Sequence, residues 1–189
     1  MTLFSLIFIV FLIFIVRKQL KESKTLNKLA NTDTLTELAN RRFVFAYGES
    51  KVNLAKKNHQ PLAVIIFDVD YFKTVNDTYG HSAGDIALIS IAKIANEYVR
   101  EHDILGRIGG EEFLLVLPET SAVKASAVGQ RIRRAIEEND FFIKDQHIRI
   151  TASFGVSCCH NNPAANINDI ISAANTALRE AKTQGRNQV

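Results

Sequence analysis

Carboxylate side chains adjoin two apolar runs of the sequence, at positions where they could bind a cation. Asp68 follows the run of residues 61–67, and Glu111 and Glu112 precede the run of residues 113–117. If the two runs form neighbouring strands, the carboxylates meet at one edge of a sheet and raise one another's pKa. A divalent cation relieves this repulsion, and oxygen ligands favour Mg²⁺ or Mn²⁺. The alternatives are a strand-end turn at Asp68 and a polar hairpin tip at the glutamates.

Two cations near the C-terminus are candidates for binding phosphate groups. Lys182 and Arg186 are four residues apart, at the end of the last predicted helix. Protein-bound Mg²⁺ usually shares its coordination shell with substrate phosphates, and these two side chains could receive them. The alternative is that they only oppose the dipole of the helix, as cations in a last turn often do.

Gly109 and Gly110 lie between two strand-like runs and predict a tight hairpin. A two-residue primed turn needs positive φ at both central residues, which glycine adopts readily. The run after the turn is continuously apolar, so the strand is expected to be buried on both faces. Because side chains alternate along a strand, Glu112 is expected to point away from Glu111. The bare glycines would also let a ligand approach the backbone.

The other elements alternate around this hairpin. Residues 71–85 mix aromatic, polar and glycine residues and predict a pocket-lining helix and loop. Further patterns predict helices that start after Asn40, at Ile86, at residue 121 and at a cap on Asn168, and a strand over residues 147–157. This order predicts an α/β protein of the α+β type, with helices packed on a mixed or antiparallel sheet.

Composition limits the possible classes of protein. A chain of 189 residues indicates one domain with appendages. The net charge is +3 and no basic stripe is interleaved with aromatic residues, so a nucleic-acid polymer is not the expected partner. The two cysteines, Cys158 and Cys159, are adjacent and are expected to be small buried residues in a reducing compartment.

The N-terminus predicts a membrane anchor over residues 1–18. Residues 3–16 are apolar except Ser5. A helix of that length reaches roughly 21 Å, short of a hydrocarbon core of roughly 30 Å. Adding the first two residues to the helix, and letting the Arg17 and Lys18 side chains snorkel to the interface, reduces the difference between these two lengths.

Charge gives the anchor an orientation. Positive residues follow the apolar run, which places the rest of the chain in the cytoplasm, at the inner membrane. A cleaved signal peptide is the alternative, but it needs positive charge before the run. The run is also compatible with the last span of a longer protein. Residues 19–32 predict a helical connector, and residues 33–189 form the expected domain.

From about Asp33 to Asn187 the chain resembles the GGDEF-type diguanylate cyclases. Each matching motif is weak alone, and together, in order and at the family's spacing, they are specific. The motifs are Asp33-Thr-Leu-Thr, Asn40-Arg41-Arg42, Phe67-Asp-Val-Asp, Phe72-Lys73, Asn76-Asp77, Gly80-His81, Gly84-Asp85, Gly109-Gly-Glu-Glu-Phe113, Ala181-Lys182 and Gly185-Arg186-Asn187.

The resemblance implies a central, mostly antiparallel five-stranded sheet wrapped by helices, like those of nucleotidyl cyclases and polymerase palms. It implies that a homodimer condenses two GTP into cyclic di-GMP and releases two pyrophosphates. Two Mg²⁺ or Mn²⁺ ions per active site would be held by Asp68, the backbone carbonyl of Val69, Glu111 and, as a second-metal or structural ligand, Glu112. Glu111 would pair with Asp68 across the sheet and would also help to deprotonate the attacking 3′-hydroxyl.

The resemblance also implies residues that bind substrate and product. Asn76 and Asp85 would read the guanine edge. The other substrate-binding positions, several of them at the phosphates, are Phe72, Lys73, His81, Gly109, Gly110, Lys182 and Arg186. Arg100 and Asp103, with Arg131 as a helper, would form an inhibitory site for the product. The alternative for Arg100 and Asp103 is an exposed ion pair at a helix end.

Some residues depart from the family pattern. Asn175 and Arg179 stand where the family usually has Asp and Tyr, which affects the packing of the last helix and the placement of Lys182. Glu37-Leu-Ala39 replaces the usual Gly-Leu-Pro. One alternative function is a catalytically silent sensor of GTP or cyclic di-GMP, although such domains normally have a damaged Gly-Gly motif. Another is a mixed guanine–adenine product, which Asp85 disfavours.

Overall fold

The computed structural model describes residues 12–19, 30–143, 146–159 and 166–189. The helices are α1 (Arg41–Asn58), α2 (Phe72–Tyr79), α3 (His81–Asn96), α4 (Ala122–Glu138) and α5 (Ile167–Thr183). The strands are β1 (Ala39–Asn40), β2 (Leu62–Val69), β3 (Ile104–Arg107), β4 (Glu112–Pro118), β5 (Phe141–Ile143), β6 (Gln146–Ile148) and β7 (Ala152–Cys159). Residues 12–19 are also helical.

Five strands form one sheet in the order β1-β3-β4-β2-β7. β1 is parallel to β3, and the other three pairings are antiparallel. β5 and β6 form a separate two-stranded hairpin. The predicted mostly antiparallel, five-stranded α+β fold is therefore confirmed, and β2, which carries Asp68, lies between β4 and β7.

The central strands are buried on both faces, as their continuous apolar runs predict. Ala63, Ile65 and Phe67 of β2 belong to the core that also contains residues of α3 and α4. Val64 and Ile66 belong to the second core, with residues of α1 and α5. Side chains at odd positions of β2 therefore face α3 and α4, and those at even positions face α1 and α5.

Three stacked phenylalanines cross the sheet one residue before Asp68. Phe67 is the register partner of both Phe113 on β4 and Phe154 on β7. The ring centroid of Phe67 lies 4.9 Å from that of Phe113 and 4.8 Å from that of Phe154. Aromatic pairs of this kind add roughly 0.5–1.5 kcal/mol each beyond their buried area. The end of β2 is therefore held in a rigid environment.

The prediction of a loop before Ile86 is wrong, because α3 begins at His81. A single residue, Gly80, separates α2 from α3, and its φ of 85° ends α2. Its backbone N–H donates to the carbonyl of Asn76 at 2.8 Å. Glycine adopts such a conformation without steric cost, so two helices can follow each other with no further linker.

Two other boundaries differ from the predictions, and one agrees. Asn166, not Asn168, caps α5, because only Asn166 can form the reciprocal capping box with Asp169. The predicted strand over residues 147–157 is divided between β6, which pairs with β5, and β7, which pairs with β2. Asn40 caps α1 as predicted, since its side chain accepts from the backbone N–H of Phe43.

The predicted membrane anchor (residues 1–18) and connector (residues 19–32) fall largely outside the described residues. Of their described parts, residues 12–19 and 30–31 are helical, and Thr32 forms an isolated bridge with Ala39. Among the helices that the structure describes, none has the length and apolar character needed to cross a membrane.

Candidate active site

A polar cavity of about 410 Å³ lies between α2, α3 and the loop that joins β3 to β4. It brings together residues that the sequence places up to 39 positions apart, from Phe72 to Glu111. Its lining consists of Phe72, Lys73, Asn76, Asp77, His81, Asp85, Leu88, Arg107, Gly110 and Glu111. Most of the predicted substrate-binding residues therefore share one cavity, which Glu111 also lines.

The side chain of Asn76 is placed by the close approach of α2 and α3. Any Cβ at Gly84 would collide with the Asn76 side chain, so the bare backbone of α3 provides the space for it. Asp85, the next residue, is exposed in the first turns of α3. An amide and a carboxylate thus line the same cavity, and together they offer both donors and acceptors to a heterocyclic base.

Asp68 lies opposite Glu112, not opposite Glu111. These two residues are register partners in the β2–β4 ladder. Glu111 lies in the loop before β4, and its contact with β2 is through its carbonyl, which accepts from the Val69 N–H at 3.3 Å. The expected pairing of Glu111 with Asp68 across the sheet is therefore corrected: Glu112 takes that position because β4 begins one residue later.

Strand alternation separates the two glutamates, as predicted. Glu112 shares its face of the sheet with Asp68, the face that α5 covers. Glu111 lines the cavity with residues of α2 and α3, on the other side. One carboxylate therefore faces the C-terminal helix and the other faces the cavity.

Lys182 compensates the charge of Asp68. Its Nζ lies 2.7 Å from Oδ1 of Asp68, whose side chain is only 9% exposed. Burial raises the pKa of Asp68, the Lys182 ammonium opposes that rise, and the charges of Glu111 and Glu112 reinforce it. A further cation at this edge would favour the ionised carboxylates.

The β3–β4 loop does not form the predicted primed turn. Among the described glycines only Gly80 and Gly185 have positive φ, so Gly109 and Gly110 do not. The loop is longer than two residues, since the N–H groups of Ile108 and Gly109 both donate to the Glu112 carbonyl. A Cβ at Gly109 would lie 2.6 Å from Oε2 of Glu112, whereas one at Gly110 would meet open space. Gly110 thus leaves the backbone accessible from the cavity.

Arg107 also lines the cavity, although its sequence context predicted no role for it. Its Nε and Nη2 donate to the Gly110 carbonyl at 3.1 and 2.8 Å, which holds the loop in place. Its Nη1 lies 3.2 Å from Oδ1 of Asp33. Asp33 belongs to the Asp33-Thr-Leu-Thr motif and Arg107 precedes Gly109 by two residues, but a contact over 74 positions cannot be predicted from spacing.

Arg186 lies beside the start of α2. Its Cζ is 4.6 Å from the ring centroid of Tyr71, the residue that precedes α2. Lys182 contacts Asp68 instead. One predicted phosphate-binding cation therefore contacts Asp68 in β2, and the other contacts Tyr71 just before α2.

The residues fit a divalent cation that completes its shell with substrate oxygens. Over the described ranges, no three side chains of His, Cys, Asp or Glu converge as a ready-made cage. Asp68 and Glu112 face each other, and Glu111 is close enough to influence Asp68 electrostatically. Mg²⁺ is commonly held by one or two carboxylates plus substrate phosphates, so this donor set suits it.

Arg100 and Asp103 of the predicted inhibitory site line a second cavity, of about 360 Å³, on another part of the domain, and Arg131 is not among its lining residues. Its lining consists of Lys51, Leu54, Ala55, Gln60, Arg100, His102, Asp103, Pro118 and Glu119. Oδ2 of Asp103 accepts from the backbone N–H of Arg100 at 3.0 Å. Burial raises the pKa of Asp103, and the bond and charge of Arg100 oppose this. Arg131 lies over the ring of Tyr98, 5.6 Å from its centroid.

Fold and site together define a class: a palm-like α+β domain with carboxylates at the end of a central strand, beside a polar cavity. The chain belongs to the GGDEF family, since the family described as "Diguanylate cyclase, GGDEF domain" matches residues 30–188.

Relatives and solved structures agree with this assignment. The chain is 40% identical over 163 residues to a diguanylate cyclase of Vibrio cholerae serotype O1, covering 86% of this chain and 50% of the relative. It is 38% identical over 165 residues to diguanylate cyclase A of Treponema denticola, covering 86% and 44%. The active GGEEF domain of a Vibrio cholerae diguanylate cyclase superposes with a TM-score of 0.74 at 38% identity, covering 80% of this chain and 95% of that one. The chain spans about half the length of these curated relatives.

Proposed function

We propose that this domain condenses two GTP molecules into cyclic di-GMP and releases two pyrophosphates. The observation that carries the proposal is the cavity itself. Asn76, Asp85, Gly110 and Glu111 line it, and the Asp68–Glu112 pair lies next to Glu111. The Asn76 and Asp85 side chains suit a base, the Asp68–Glu112 pair suits the metal-bound triphosphate, and Glu111 suits the reacting hydroxyl. The reaction needs these three parts next to one another.

Asp68, the Val69 carbonyl, Glu111 and Glu112 would hold Mg²⁺ or Mn²⁺, two per active site. Such ions neutralise charge on the α-phosphate and on the leaving pyrophosphate. Lys182, already beside Asp68, and Arg186 bind the triphosphate. The N-terminal turn of α2, with Phe72 and Lys73, contributes backbone N–H groups to it.

Glu111 takes the proton of the attacking 3′-hydroxyl. The 3′-oxygen then forms a bond to the α-phosphorus of the facing GTP, and the bond from that phosphorus to the β-phosphate oxygen breaks, so that pyrophosphate leaves. The same step at the second GTP closes the ring. Each domain binds one GTP, so two domains face each other in a homodimer, and the two-fold product matches the two-fold assembly.

Base selection rests on Asp85 and Asn76. Asp85 can accept from both the ring N–H and the amino group of guanine, which adenine cannot offer together. His81, in the same cavity, and Gly109 and Gly110 complete the proposed substrate site.

The test is product formation by the full chain. With Mg²⁺ and an equimolar mixture of GTP and ATP, mass spectrometry should show cyclic di-GMP and no mixed dinucleotide. GTP or cyclic di-GMP binding without turnover would instead identify a silent sensor.

We also propose that cyclic di-GMP inhibits the enzyme at the second cavity, through Arg100 and Asp103 with Arg131. Arg100→Ala should weaken the binding of cyclic di-GMP by about 10-fold or more, because a charge-assisted bond contributes roughly 1.5–3 kcal/mol. The matched control is Glu101→Ala, an exposed neighbour. Unchanged product inhibition in Arg100→Ala would contradict the proposal.

The N-terminal apolar run supports a further proposal, anchorage of a cytoplasmic domain at the inner membrane. Residues 3–16 supply the apolar length, and the positive charges after them supply the orientation. Fractionation of cells that express the full chain should place it in the membrane pellet, resistant to high salt. Recovery in the soluble fraction would contradict this.

A further inference from the structure

We propose that Asn187 is a positioning residue for the triphosphate-binding cations Lys182 and Arg186. The inference rests on the proposed function. It concerns a cluster of side chains outside the cavity, in which Asn187 joins the end of β2 to helix α4. The cluster members besides Asn187 are Asp70, Ser153, Arg133 and Glu137.

The turn after α5 carries Arg186 and depends on the end of the helix. The N–H of Arg186 donates to the Ala181 carbonyl at 2.9 Å, and the side-chain amide of Gln188 donates to the same carbonyl at 2.8 Å. Arg186 and Asn187 both have left-handed backbones, with φ of 66° and 48°. Such a conformation costs energy for residues other than glycine, although asparagine tolerates it better than most. Bonds from outside the turn must therefore maintain it.

The first set of outside bonds comes from the sheet. The N–H of Asn187 is 3.1 Å from Oδ2 of Asp70 and 3.1 Å from Oγ of Ser153. The Ser153 and Thr151 hydroxyls also donate to Asp70, at 2.7 and 2.8 Å. Asp70 is only 4% exposed. Since Asp70 follows Asp68 by two residues, these bonds tie the C-terminal turn to the strand end that carries the proposed metal ligands.

The second set comes from α4. Nδ2 of Asn187 donates to Oε1 of Glu137 at 2.7 Å, and its Oδ1 accepts from Nη1 of Arg133 at 2.8 Å. Arg133 and Glu137 form an ion pair of 2.7 Å with each other. The Asn187 amide thus accepts from Arg133 and donates to Glu137 at the same time. A side chain that cannot do both loses at least one of these two hydrogen bonds.

Asn187 directly follows Arg186 and lies within five residues of Lys182. A shift of Asn187 therefore moves the guanidinium off the Tyr71 ring and loosens the end of the helix that aims Lys182 at Asp68. The side chain of Asn187 touches no proposed substrate atom. It acts through the two cations, whose placement decides how tightly the triphosphate binds.

The first test is Asn187→Gly, which keeps the left-handed backbone without strain and removes only the amide. We expect the Kd of α,β-methylene-GTP with Mg²⁺ to rise about 10- to 100-fold, the change that corresponds to losing a hydrogen bond with a charged group such as Glu137. The KM for GTP should rise with it while kcat stays within a few-fold, the pattern of lost ground-state binding. Ser121→Ala removes the N-cap of α4 and provides the control for a purely structural effect. It should lower the melting temperature without changing Kd.

The second test exchanges donor and acceptor. Asn187→Asp places a carboxylate against Glu137 and should weaken binding of the analogue at least as much as Asn187→Gly. Adding Glu137→Gln to Asn187→Asp restores a donor facing an acceptor and should recover most of the affinity. Adding Glu138→Gln, a change at the exposed neighbouring carboxylate on α4, should recover none.

The outcomes separate the inference from the proposed function. A wild-type chain that makes no cyclic di-GMP overturns the proposed function and this inference with it. An active wild type in which Asn187→Gly leaves the Kd of the analogue unchanged overturns the inference alone. The inference is also overturned if Ser121→Ala raises Kd as much as Asn187→Gly, or if Glu138→Gln rescues as well as Glu137→Gln.

Discussion

Asp68 and Asp70 lie two residues apart at the end of β2, yet their carboxylates have different partners. Asp68 pairs with the Lys182 ammonium and faces Glu112. Asp70 accepts from the hydroxyls of Thr151 and Ser153 and is enclosed by neutral donors. Asp70, whose oxygens are occupied by hydrogen-bond donors, therefore has a structural role. Asp68, which faces another carboxylate at the edge of the sheet, can bind a cation.

Asp85 provides a direct test of base recognition. Asp85→Asn converts one of two acceptors into a donor, so kcat/KM for GTP should fall roughly 10- to 100-fold, which corresponds to a lost bond to a charged group. Steady-state pyrophosphate release measures this. Asp77→Asn changes a second carboxylate of the same cavity and should have a much smaller effect. Equal losses in the two variants would show that Asp85 acts only through the charge of the cavity.

Asp33 gives the stability of the domain a pH dependence. Burial tends to raise its pKa, but hydrogen bonds from Thr36 and Arg107 outweigh burial and lower it. A lowered native pKa means that the stabilisation is present above the unfolded value of about 4 and is lost as the pH falls through the native value. Asp33→Asn should therefore reduce the free energy of unfolding by about 1–3 kcal/mol at pH 7 and by less at pH 3.

Urea denaturation at the two pH values measures that difference. Asp140→Asn is the control, because the Asp140 side chain is 89% exposed. A loss for Asp33→Asn that is as large at pH 3 as at pH 7 would contradict the assignment.

At the scale of elements, the contact between α2 and α3 determines where the Asn76 amide, which we propose to bind guanine, lies. Gly84→Ala gains roughly 0.5–1 kcal/mol of helix propensity in α3, a gain that the tight 3.0 Å contact of the new Cβ with the Phe72 ring opposes. It should nevertheless raise the KM for GTP, because the new Cβ displaces the Asn76 side chain. Ser82→Ala, an exposed position of the same helix, should leave the KM unchanged. An unaltered KM in Gly84→Ala would show that Asn76 is not needed in its present place.

The sequence was sufficient to predict the buried strands, because continuous apolar runs such as residues 62–67 have few alternatives. It was also sufficient to predict the Asn40 cap, which is a local feature. The register between β2 and β4 could not be predicted from the sequence. Glu111 was therefore expected to be the partner of Asp68, whereas the structure shows Glu112 in that position. A one-residue slip moves a side chain to the other face of a strand, and no local pattern reports it.

The backbone conformation of the two glycines in the β3–β4 loop could not be predicted from the sequence either. A Gly-Gly pair permits a primed turn but does not require one, and bonds from Arg107 to Gly110 hold another shape. The cluster around Asn187 was missed for a related reason. Its contacts span 34 to 117 positions, and only the folded sheet brings them together.

At the scale of the whole molecule, the proposed chemistry needs two domains. Turnover per chain should follow the dimer fraction measured by sedimentation. Wild-type chain mixed with excess Glu111→Gln should form mixed dimers that make one phosphodiester and stop. The products should then be one pyrophosphate and the linear dinucleotide, separable by chromatography. Full turnover by monomers, or closed product from mixed dimers, would contradict the two-domain mechanism.

The central claim is tested most directly by the stoichiometry of the reaction of the full chain with GTP and Mg²⁺. Pyrophosphate and cyclic di-GMP should appear in a ratio of about 2:1, because each of the two transfer steps releases one pyrophosphate. Glu111→Gln should lower kcat by roughly 10²-fold or more, the usual contribution of a general base, and should still bind α,β-methylene-GTP. Wild-type chain that binds GTP but releases no pyrophosphate, or Glu111→Gln that turns over normally, would contradict the account.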